Sequence, residues 1–470
     1  MTGIFVSKLR SSGKGPATGA GVTVVFIHSH NGGSIMGVWN PKMELMSRDE
    51  LDQIKIERLQ ATLNRVINNV PFYHKQFAKH GIVPEKVHSA RDLAAIPFTT
   101  RQHLVDNQPY GFFAVTLKDI SRIHSSSGTT GRPVVVGYTR NDRAHWADVL
   151  SRILRAVGID STDIVQISFA YGLFSAGFGF DMGAEHMGAT VIPVSAGDVE
   201  QQIRIMEDFH TTCLFSTPSY AMQIANVIKA RGIRSQELTL KRGLFGAEPW
   251  SEDIRDRIES SLGIDAFDIY GISELTGPGV AGECECKCGL HIWEDHFFPE
   301  IVDPETGDIL EPGEEGELVV TTLTRESMPL VRYRTGDITS ISYEPCSCGR
   351  SHARIARIRN RNTGLLIVHG VNVYLRDVED LFDNLFKLPV RYQLAASRDT
   401  QGDNLEVLIE VSDRLFVDEM RNFRYMEVMI RHELSKRLSF EPTVRFVEPS
   451  HFPAPGEEYP RVVDNRVGTA

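Results

Sequence analysis

Between residues 134 and 274 the sequence alternates short apolar segments with longer amphipathic ones, and this alternation constrains the fold more than any other feature. The apolar segments predict strands at 134–136, 163–168, 189–194, 212–215 and 268–274. The amphipathic segments predict helices at 141–157, 198–209 and 219–231. Strands that alternate with helices favour a largely parallel sheet covered by helices. The predicted fold class is therefore α/β.

Chain length and charge narrow the class of protein further. A chain of 470 residues suggests two or three domains. The net charge of -11 argues against a general nucleic-acid binder, which would carry a basic face. No apolar run approaches the roughly 18 residues of a membrane span, and Val22 to Ile27 is too short for a signal-peptide core. We therefore expect a cytoplasmic protein with a disordered leader at 1–35.

Small and hydroxyl residues dominate the stretch His-Ser-Ser-Ser-Gly-Thr-Thr-Gly-Arg-Pro at 124–133. Glycines allow the backbone to approach a ligand closely, consecutive N–H groups in such a turn form an anion nest, and Arg132 supplies the charge that a polyphosphate requires. The Walker A pattern is absent. The stretch predicts a phosphate-binding loop, and the alternative is an ordinary surface turn or linker.

Three further segments carry chemistry at predicted strand ends. Phe169 to Phe174 interleaves aromatic residues with glycine, which suits an apolar ligand pocket or simply a core. Glu274 ends the strand 268–274, where a carboxylate can hold Mg²⁺ beside phosphates. Asp337 follows a strand predicted at 329–332 and can accept hydrogen bonds from a ribose, although a turn aspartate is an equal alternative.

The polar segment 359–364 indicates a domain boundary. Beyond it, the pattern predicts a small α+β domain of about 100 residues. Its predicted strands are 365–368, 371–374 and 404–411, and its predicted helices are 377–386 and 420–438.

Five of the six cysteines lie in two short clusters. Clustered cysteines in a chain without secretion signals indicate a metal rather than disulfides. Three thiolates and one imidazole, from Cys284, His291, Cys346 and Cys348, suit a closed tetrahedral Zn²⁺ site. Cys286 and Cys288 compete as ligands, and an iron–sulfur cluster or free thiols remain alternatives.

Taken in order, the Ser/Thr/Gly loop, Tyr-Gly-Ile-Ser-Glu at 270–274, Tyr-Arg-Thr-Gly-Asp at 333–337 and the small terminal domain resemble the adenylate-forming superfamily of acyl-CoA synthetases. Within it, the chain is most similar to the phenylacetate–CoA ligase family, from about Met36 to Arg466. The resemblance implies a large multi-sheet N-terminal adenylate-forming domain at 36–358, a hinge at 359–364 and a small α+β C-terminal lid domain at 365–470.

The same resemblance implies ATP-dependent ligation of a phenylacetate-like aryl acid to coenzyme A through an acyl-adenylate. The expected cofactors are ATP/AMP, Mg²⁺, coenzyme A and structural Zn²⁺. The expected partners are small molecules, with no nucleic acid and no membrane. A homodimer is considered, but no sequence feature indicates one.

Site roles carry over position by position. The phosphates would be held by Ser125, Ser126, Ser127, Gly128, Thr129, Thr130, Gly131 and Arg132. Gly246, Ala247, Glu248 and Pro249 would form the adenine wall, Tyr270 would stack near the adenine, and Asp337 would hold the ribose. Asp268, Gly271, Ser273 and Arg361 are further cofactor-binding candidates. Tyr171, Phe174 and Ala247 would line the aryl pocket, and Glu274 would coordinate Mg²⁺. The zinc positions of some family members match Cys284, His291, Cys346 and Cys348.

The terminal domain departs from the family pattern. The hinge pattern Gly-Arg-x-Asp-Asp reads Asn360-Arg361-Asn362-Thr363-Gly364 here, so both carboxylates are missing. The C-terminal catalytic lysine falls on Glu458, and no lysine follows Lys436. Arg461 is the nearby catalytic substitute. This departure leaves two alternatives open: a relative that adenylates poorly or uses a preformed adenylate, and an adenylating enzyme for a different acceptor.

Overall fold

The structure is a computed structural model in which residues 37–126, 134–358, 360–361, 365–368, 371–374, 378, 381–382, 385, 390–399, 402–411, 421–438, 440–448, 451–453 and 459–466 are described. The predicted leader and residues 127–133 of the predicted phosphate loop lie outside this range. The described helices are α1 Pro41–Glu44, α2 Arg48–Asn69, α3 Pro71–His80, α4 Ala90–Ala94, α5 Arg101–Asp106, α6 Arg140–Ala156, α7 Ala176–Met187, α8 Val199–Phe209, α9 Pro218–Ala230, α10 Glu252–Leu262 and α11 Arg421–Leu438.

Local sequence signals set the ends of these helices. Ser47 caps α2 in a reciprocal capping box with Glu50, in which each side chain accepts a hydrogen bond from the other residue's backbone N–H. Asp198, Thr217 and Ser251 cap α8, α9 and α10 with their side chains. Each cap satisfies a backbone donor that a helix start would otherwise leave unpaired. The predicted helices at 141–157, 198–209 and 219–231 all form, within one residue of their predicted bounds.

The strands form several sheets around these helices. Their bounds are β1 Arg122–Ser125, β2 Val135–Tyr138, β3 Ile164–Ile167, β4 Thr190–Ile192, β5 Cys213–Ser216, β6 Arg242–Gly246, β7 Asp265–Ile272, β8 Gly277–Gly282, β9 Leu290–Ile292, β10 Phe297–Val302, β11 Gly316–Thr322, β12 Tyr333–Thr339, β13 Ile341–Ser342, β14 Arg354–Ile355, β15 Asn360–Arg361, β16 Leu365–Val368, β17 Val371–Tyr374, β18 Tyr392–Asp399, β19 Gly402–Glu410, β20 Thr443–Val447 and β21 Val462–Asp464.

A nine-stranded sheet forms the centre of the larger region, in the order β13-β14-β9-β8-β7-β6-β5-β3-β4. Strands β3 to β7 run parallel to one another, and β8, β9, β14 and β13 extend the sheet from β7 through antiparallel pairings. Every residue of β5 is buried, as expected for a parallel strand covered by helices on both faces. The predicted α/β class is confirmed.

A second, antiparallel sheet, β10-β11-β12-β15, carries the Tyr-Arg-Thr-Gly-Asp motif and corrects one expectation. The strand predicted at 329–332 is absent, and β12 begins at Tyr333 instead, so Asp337 lies within a strand. The backbone N–H groups of Val331 and Arg332 donate to the Tyr73 hydroxyl and to Thr321 Oγ1. Arg332 also has a φ of 48°. These contacts give the two backbone N–H groups hydrogen-bond partners outside any sheet.

The C-terminal residues that the structure describes form a four-stranded sheet, β20-β19-β18-β21, and the β16-β17 hairpin. Helix α11 contributes Ile430, Leu434 and Leu438 to a separate apolar core that contains Leu394 and Val407 of the sheet. The α+β composition expected after residue 364 is present. The helix predicted at 377–386 lies partly outside the described residues.

Candidate active site

A cavity of about 500 Å³ opens at the carboxyl ends of the parallel strands. Gly246 ends β6, Ile272 ends β7, and Phe169 follows β3, and all three line this cavity. Open α/β sheets bind ligands at this edge, because several strands present side chains and loops there together. The cavity therefore coincides with the positions that the strand pattern predicted for chemistry.

A carboxylate and a guanidinium face each other on one wall of this cavity. Glu274 Oε1 accepts a hydrogen bond of 2.7 Å from Arg101 Nη1, and the same nitrogen donates to Ser126 Oγ at 3.2 Å. The Glu274 side chain is 10% exposed and that of Arg101 is 28% exposed. Glu274 is thus an acidic group of the cavity wall, as its place in the sequence motif predicted, and Glu317 is a second.

Residues 127–133 of the predicted phosphate loop lie outside the described residues, but the two ends of the loop are held together. The Ser126 N–H donates to the Val134 carbonyl at 2.9 Å, and the Val134 N–H donates to Ser126 Oγ at 2.9 Å. Ser125 lies in β1 opposite Val135. The described residues therefore place the base of this segment, including Ser126, at the cavity wall.

A smaller pocket continues from the main cavity past Ala247 and Gly271. Here the Tyr270 hydroxyl donates to Asp337 Oδ2 at 2.6 Å, and both residues are buried. The backbone of Asp337 pairs with that of Arg361 across β12 and β15. Glu248, Pro249 and Asp268 complete the pocket wall. The structure thus places seven of the residues assigned to the nucleotide around this pocket, namely Ala247, Glu248, Pro249, Asp268, Tyr270, Gly271 and Asp337, while Gly246 and Ser273 line the main cavity.

Two carboxylates of this pocket have strongly shifted pKa values. Burial raises the pKa of Glu248 to about 7, although its carboxylate accepts a hydrogen bond of 2.5 Å from the Ser219 backbone N–H. Burial also raises the pKa of Asp268 to about 6, and the neighbouring carboxylate of Glu283 adds to the shift. Arg357 Nε lies 3.1 Å from Asp268 Oδ2, and its positive charge opposes this rise in the pKa. Asp268 therefore braces the pocket wall through an ion pair.

Apolar side chains also line the main cavity, namely Phe169, Phe174, Ala176, Phe180, Ile272 and Pro278. The rings of Phe169 and Phe180 stack with centroids 4.9 Å apart. Phe174 and Ala247, which the resemblance assigned to the aryl pocket, both line the cavity, as does Ser273. Tyr171 does not: its ring packs edge-on against Phe178, 5.1 Å away, beside the cavity.

The cysteine clusters converge on one buried group. One donor atom each from Cys284, His291, Cys346 and Cys348 lies within 4.8 Å of the others. His291 Nε2 lies 3.3 Å from Cys348 Sγ, and His291 Nδ1 lies 3.2 Å from the His352 carbonyl oxygen. Because a carbonyl oxygen only accepts, Nδ1 carries the proton and Nε2 presents its lone pair to the thiols. Cys286 and the exposed Cys288 lie beside the group.

Arg461, the predicted catalytic substitute, lies on the C-terminal sheet. Its guanidinium carbon is 5.6 Å from the centre of the Tyr392 ring, on the C-terminal sheet. It is not among the described residues that line the main cavity. Arg398 and Asp403 of the same sheet do reach the N-terminal region, where they line a small cavity with Glu248 and Pro249. Glu458 and Arg132 lie outside the described residues.

Arg101 is the functional candidate that sequence reasoning missed. It precedes the phosphate-loop stretch by more than twenty residues and belongs to no Gly-rich or acidic motif. A Thr-Thr-Arg sequence at a helix start carries no specific signal, because Thr100 simply acts as the N-cap of α5. Only the folded chain places this arginine beside Glu274.

Comparisons with known proteins agree with this geometry. The family profile described as AMP-binding enzyme matches residues 19–324, and that of the AMP-binding enzyme C-terminal domain matches residues 370–466. A phenylacetate-coenzyme A ligase of Thermus thermophilus is 43% identical over 380 residues, covering 81% of this chain and 85% of the relative. The phenylacetate-coenzyme A ligase of Aromatoleum evansii is 43% identical over 411 residues, covering 87% and 92%.

A solved structure shows the same architecture over most of the chain. The crystal structure of 2-hydroxyisobutyryl-CoA ligase, in complex with 2-HIB-AMP and CoA in the thioesterification state, superposes with a TM-score of 0.84 at 25% identity. The match covers 91% of this chain and 92% of that one. Among the described residues, no helix is both long and apolar enough to cross a bilayer. The chain belongs to the phenylacetate–CoA ligase family of AMP-forming acid–CoA ligases.

Proposed function

We propose that the protein joins an arylacetic acid of the phenylacetate type to coenzyme A in two steps. In the first, the acid and ATP form an acyl-adenylate and pyrophosphate. In the second, the CoA thiol displaces AMP from the adenylate. The observation that carries the proposal is a cavity in which aromatic side chains and Glu274 lie together, and which shares Ala247 and Gly271 with the pocket of the Tyr270–Asp337 pair.

The division of this cavity suits an aryl acid and a nucleotide together. Phe169, Phe174 and Phe180 offer ring faces and edges for an aromatic group, which buries favourably in such a slot. Asp337 is a buried acceptor for ribose hydroxyls, oriented by the Tyr270 hydroxyl. Ala247, in the turn after Gly246, lines both the main cavity and the smaller pocket. The carboxylate would therefore meet the α-phosphate near this turn.

Glu274 fits the role of a magnesium ligand, because it is a carboxylate at the cavity wall beside the start of the predicted phosphate loop. Mg²⁺ bound there with ATP would neutralise phosphate charge. The four buried donors Cys284, His291, Cys346 and Cys348 fit a structural Zn²⁺, since three thiols and one imidazole converge without an open position. The zinc would join loops more than fifty residues apart and take no part in the reaction.

The relatives' names favour a complete ligase over a half-enzyme, and thioester formation tests this directly. The wild-type protein and Glu458→Lys would each receive ATP, Mg²⁺, CoA and a panel of acids that includes phenylacetate, benzoate and acetate. Mass spectrometry would follow acyl-CoA. We expect phenylacetyl-CoA and AMP from the wild type, with little product from acetate.

The lysine variant separates the remaining alternatives. Product from Glu458→Lys but none from the wild type would favour the adenylation-impaired alternative. Adenylate without thioester in both would favour a different acceptor. The absence of acyl-CoA and adenylate from both proteins, with every acid in the panel, would contradict the proposed function.

A further inference from the structure

Arg101 contacts the cavity residues Glu274 and Ser126, but the proposed reaction has so far given it no role. It is the first residue of α5, and its guanidinium lies between Glu274, at 2.7 Å, and Ser126 Oγ, at 3.2 Å. Glu274 is the proposed magnesium ligand, and Ser126 begins the predicted phosphate loop. The guanidinium therefore lies between the two groups that would hold the phosphates of ATP.

The contacts of Arg101 suit a residue that changes partners. Its side chain is 28% exposed, so it can leave Glu274 without opening the core. A guanidinium stays protonated and presents five donors in a planar fork that matches phosphate oxygens. When Glu274 binds a metal instead, its negative charge is no longer available to Arg101. The polyphosphate of the nucleotide then offers anionic oxygens to this guanidinium.

We propose that Arg101 is a catalytic residue of adenylation: its guanidinium pairs with Glu274 before nucleotide binds and contacts the β- and γ-phosphates of ATP afterwards. This inference rests on the proposed function. In the step it assists, a carboxylate oxygen of the acid forms a bond to the α-phosphorus. The bond from that phosphorus to the α,β-bridging oxygen breaks, and pyrophosphate leaves with the electron pair. Arg101 stabilises the negative charge that accumulates on the leaving group.

This role would supply a cation for adenylation in a chain that lacks the C-terminal catalytic lysine of the family. The position of the family lysine carries Glu458, and Arg461 lies on the Tyr392 ring in the structure. Arg334 also lines the main cavity, but its Nε donates to Glu317 Oε2 at 2.8 Å and its Nη2 to the Pro304 carbonyl at 2.8 Å. Arg101 is a cationic side chain of the cavity that contacts the magnesium ligand directly.

The test compares ATP with AMP, because only ATP carries β- and γ-phosphates. Calorimetric titration of Arg101→Gln should show Mg·ATP affinity reduced on the order of 10- to 100-fold, with AMP affinity within twofold of the wild type. Formation of phenylacetyl-adenylate should slow by about 10²- to 10³-fold. Conversion of synthetic phenylacetyl-adenylate and CoA to thioester should stay within about threefold of wild type, since pyrophosphate has already left. Arg101→Lys should recover part of the ATP affinity.

Arg231→Gln is the matched control. Arg231 is 34% exposed and pairs with Glu200 and Glu207 away from the cavity, so its variant should match wild type in every assay. Unchanged ATP affinity in Arg101→Gln would overturn the proposal. Equal losses of ATP, AMP and adenylate processing would also overturn it, because they indicate a purely structural role. If the wild type forms no phenylacetyl-CoA, the proposed function fails, while the ATP-against-AMP comparison still decides the role of Arg101.

Discussion

The hydrogen bond between Tyr270 and Asp337 offers a direct test of the adenosine pocket. The Tyr270 hydroxyl donates to Asp337 Oδ2 at 2.6 Å, and the two residues are 8% and 1% exposed. Tyr270→Phe removes only this hydroxyl. A buried hydrogen bond to a charged group contributes about 1.5–3 kcal/mol. If Asp337 receives the ribose, its lost orientation should lower AMP affinity by on the order of 10-fold, and at most about 150-fold.

Calorimetric titration of AMP would measure this loss. Tyr220→Phe is the matched control, because the Tyr220 hydroxyl donates to the Gly197 carbonyl at 2.7 Å on α9, outside the main cavity. The control should bind AMP as the wild type does. An AMP affinity of Tyr270→Phe within twofold of wild type would refute the assignment of Asp337 to the ribose, provided that the variant unfolds at the wild-type urea concentration.

Two further predictions concern the frame of the site. Glu294→Gln removes a fully buried carboxylate that binds Arg48, Lys55 and the Ala353 N–H. These contacts lower the Glu294 pKa from 4.5 to about 2 against the cost of burial, which corresponds to about 3 kcal/mol at neutral pH. This contribution to the free energy of unfolding is complete above pH 4.5 and is lost toward pH 2. Urea unfolding should therefore show the wild type to be more stable than the variant, by a margin that narrows below pH 4.5. Equal stability of the two proteins at pH 7 would contradict this prediction. Elemental analysis should find one zinc per chain in the wild type and in Cys213→Ser. Cys348→Ser should lose the zinc and melt at a lower temperature. Iron, or no metal, in the wild type would disprove the zinc site.

Much of the fold follows from patterns that are local in sequence. The 3.6-residue and strand periodicities between 134 and 274 are direct consequences of which side chains must face a core. Helix caps such as Ser47 and Asp198 act within one turn, so these signals too are local in sequence. The apolar segment 329–332 was predicted wrongly as a strand, because its backbone partners, Tyr73 and Thr321, are distant in sequence. A propensity carries no information about such partners.

The site divides in the same way. Sequence by itself determined the motifs that hold Glu274, Tyr270 and Asp337, and the four donors of the cysteine cluster, because each belongs to a short pattern with its own chemistry. Only the tertiary structure decided that Arg101 faces Glu274, that Tyr171 lies beside the cavity rather than in it, and that Tyr270 orients Asp337. The Arg101–Glu274 contact joins residues 173 positions apart, and the Tyr270–Asp337 contact joins residues 67 positions apart. Packing of whole elements, rather than any local preference, brings such residues together.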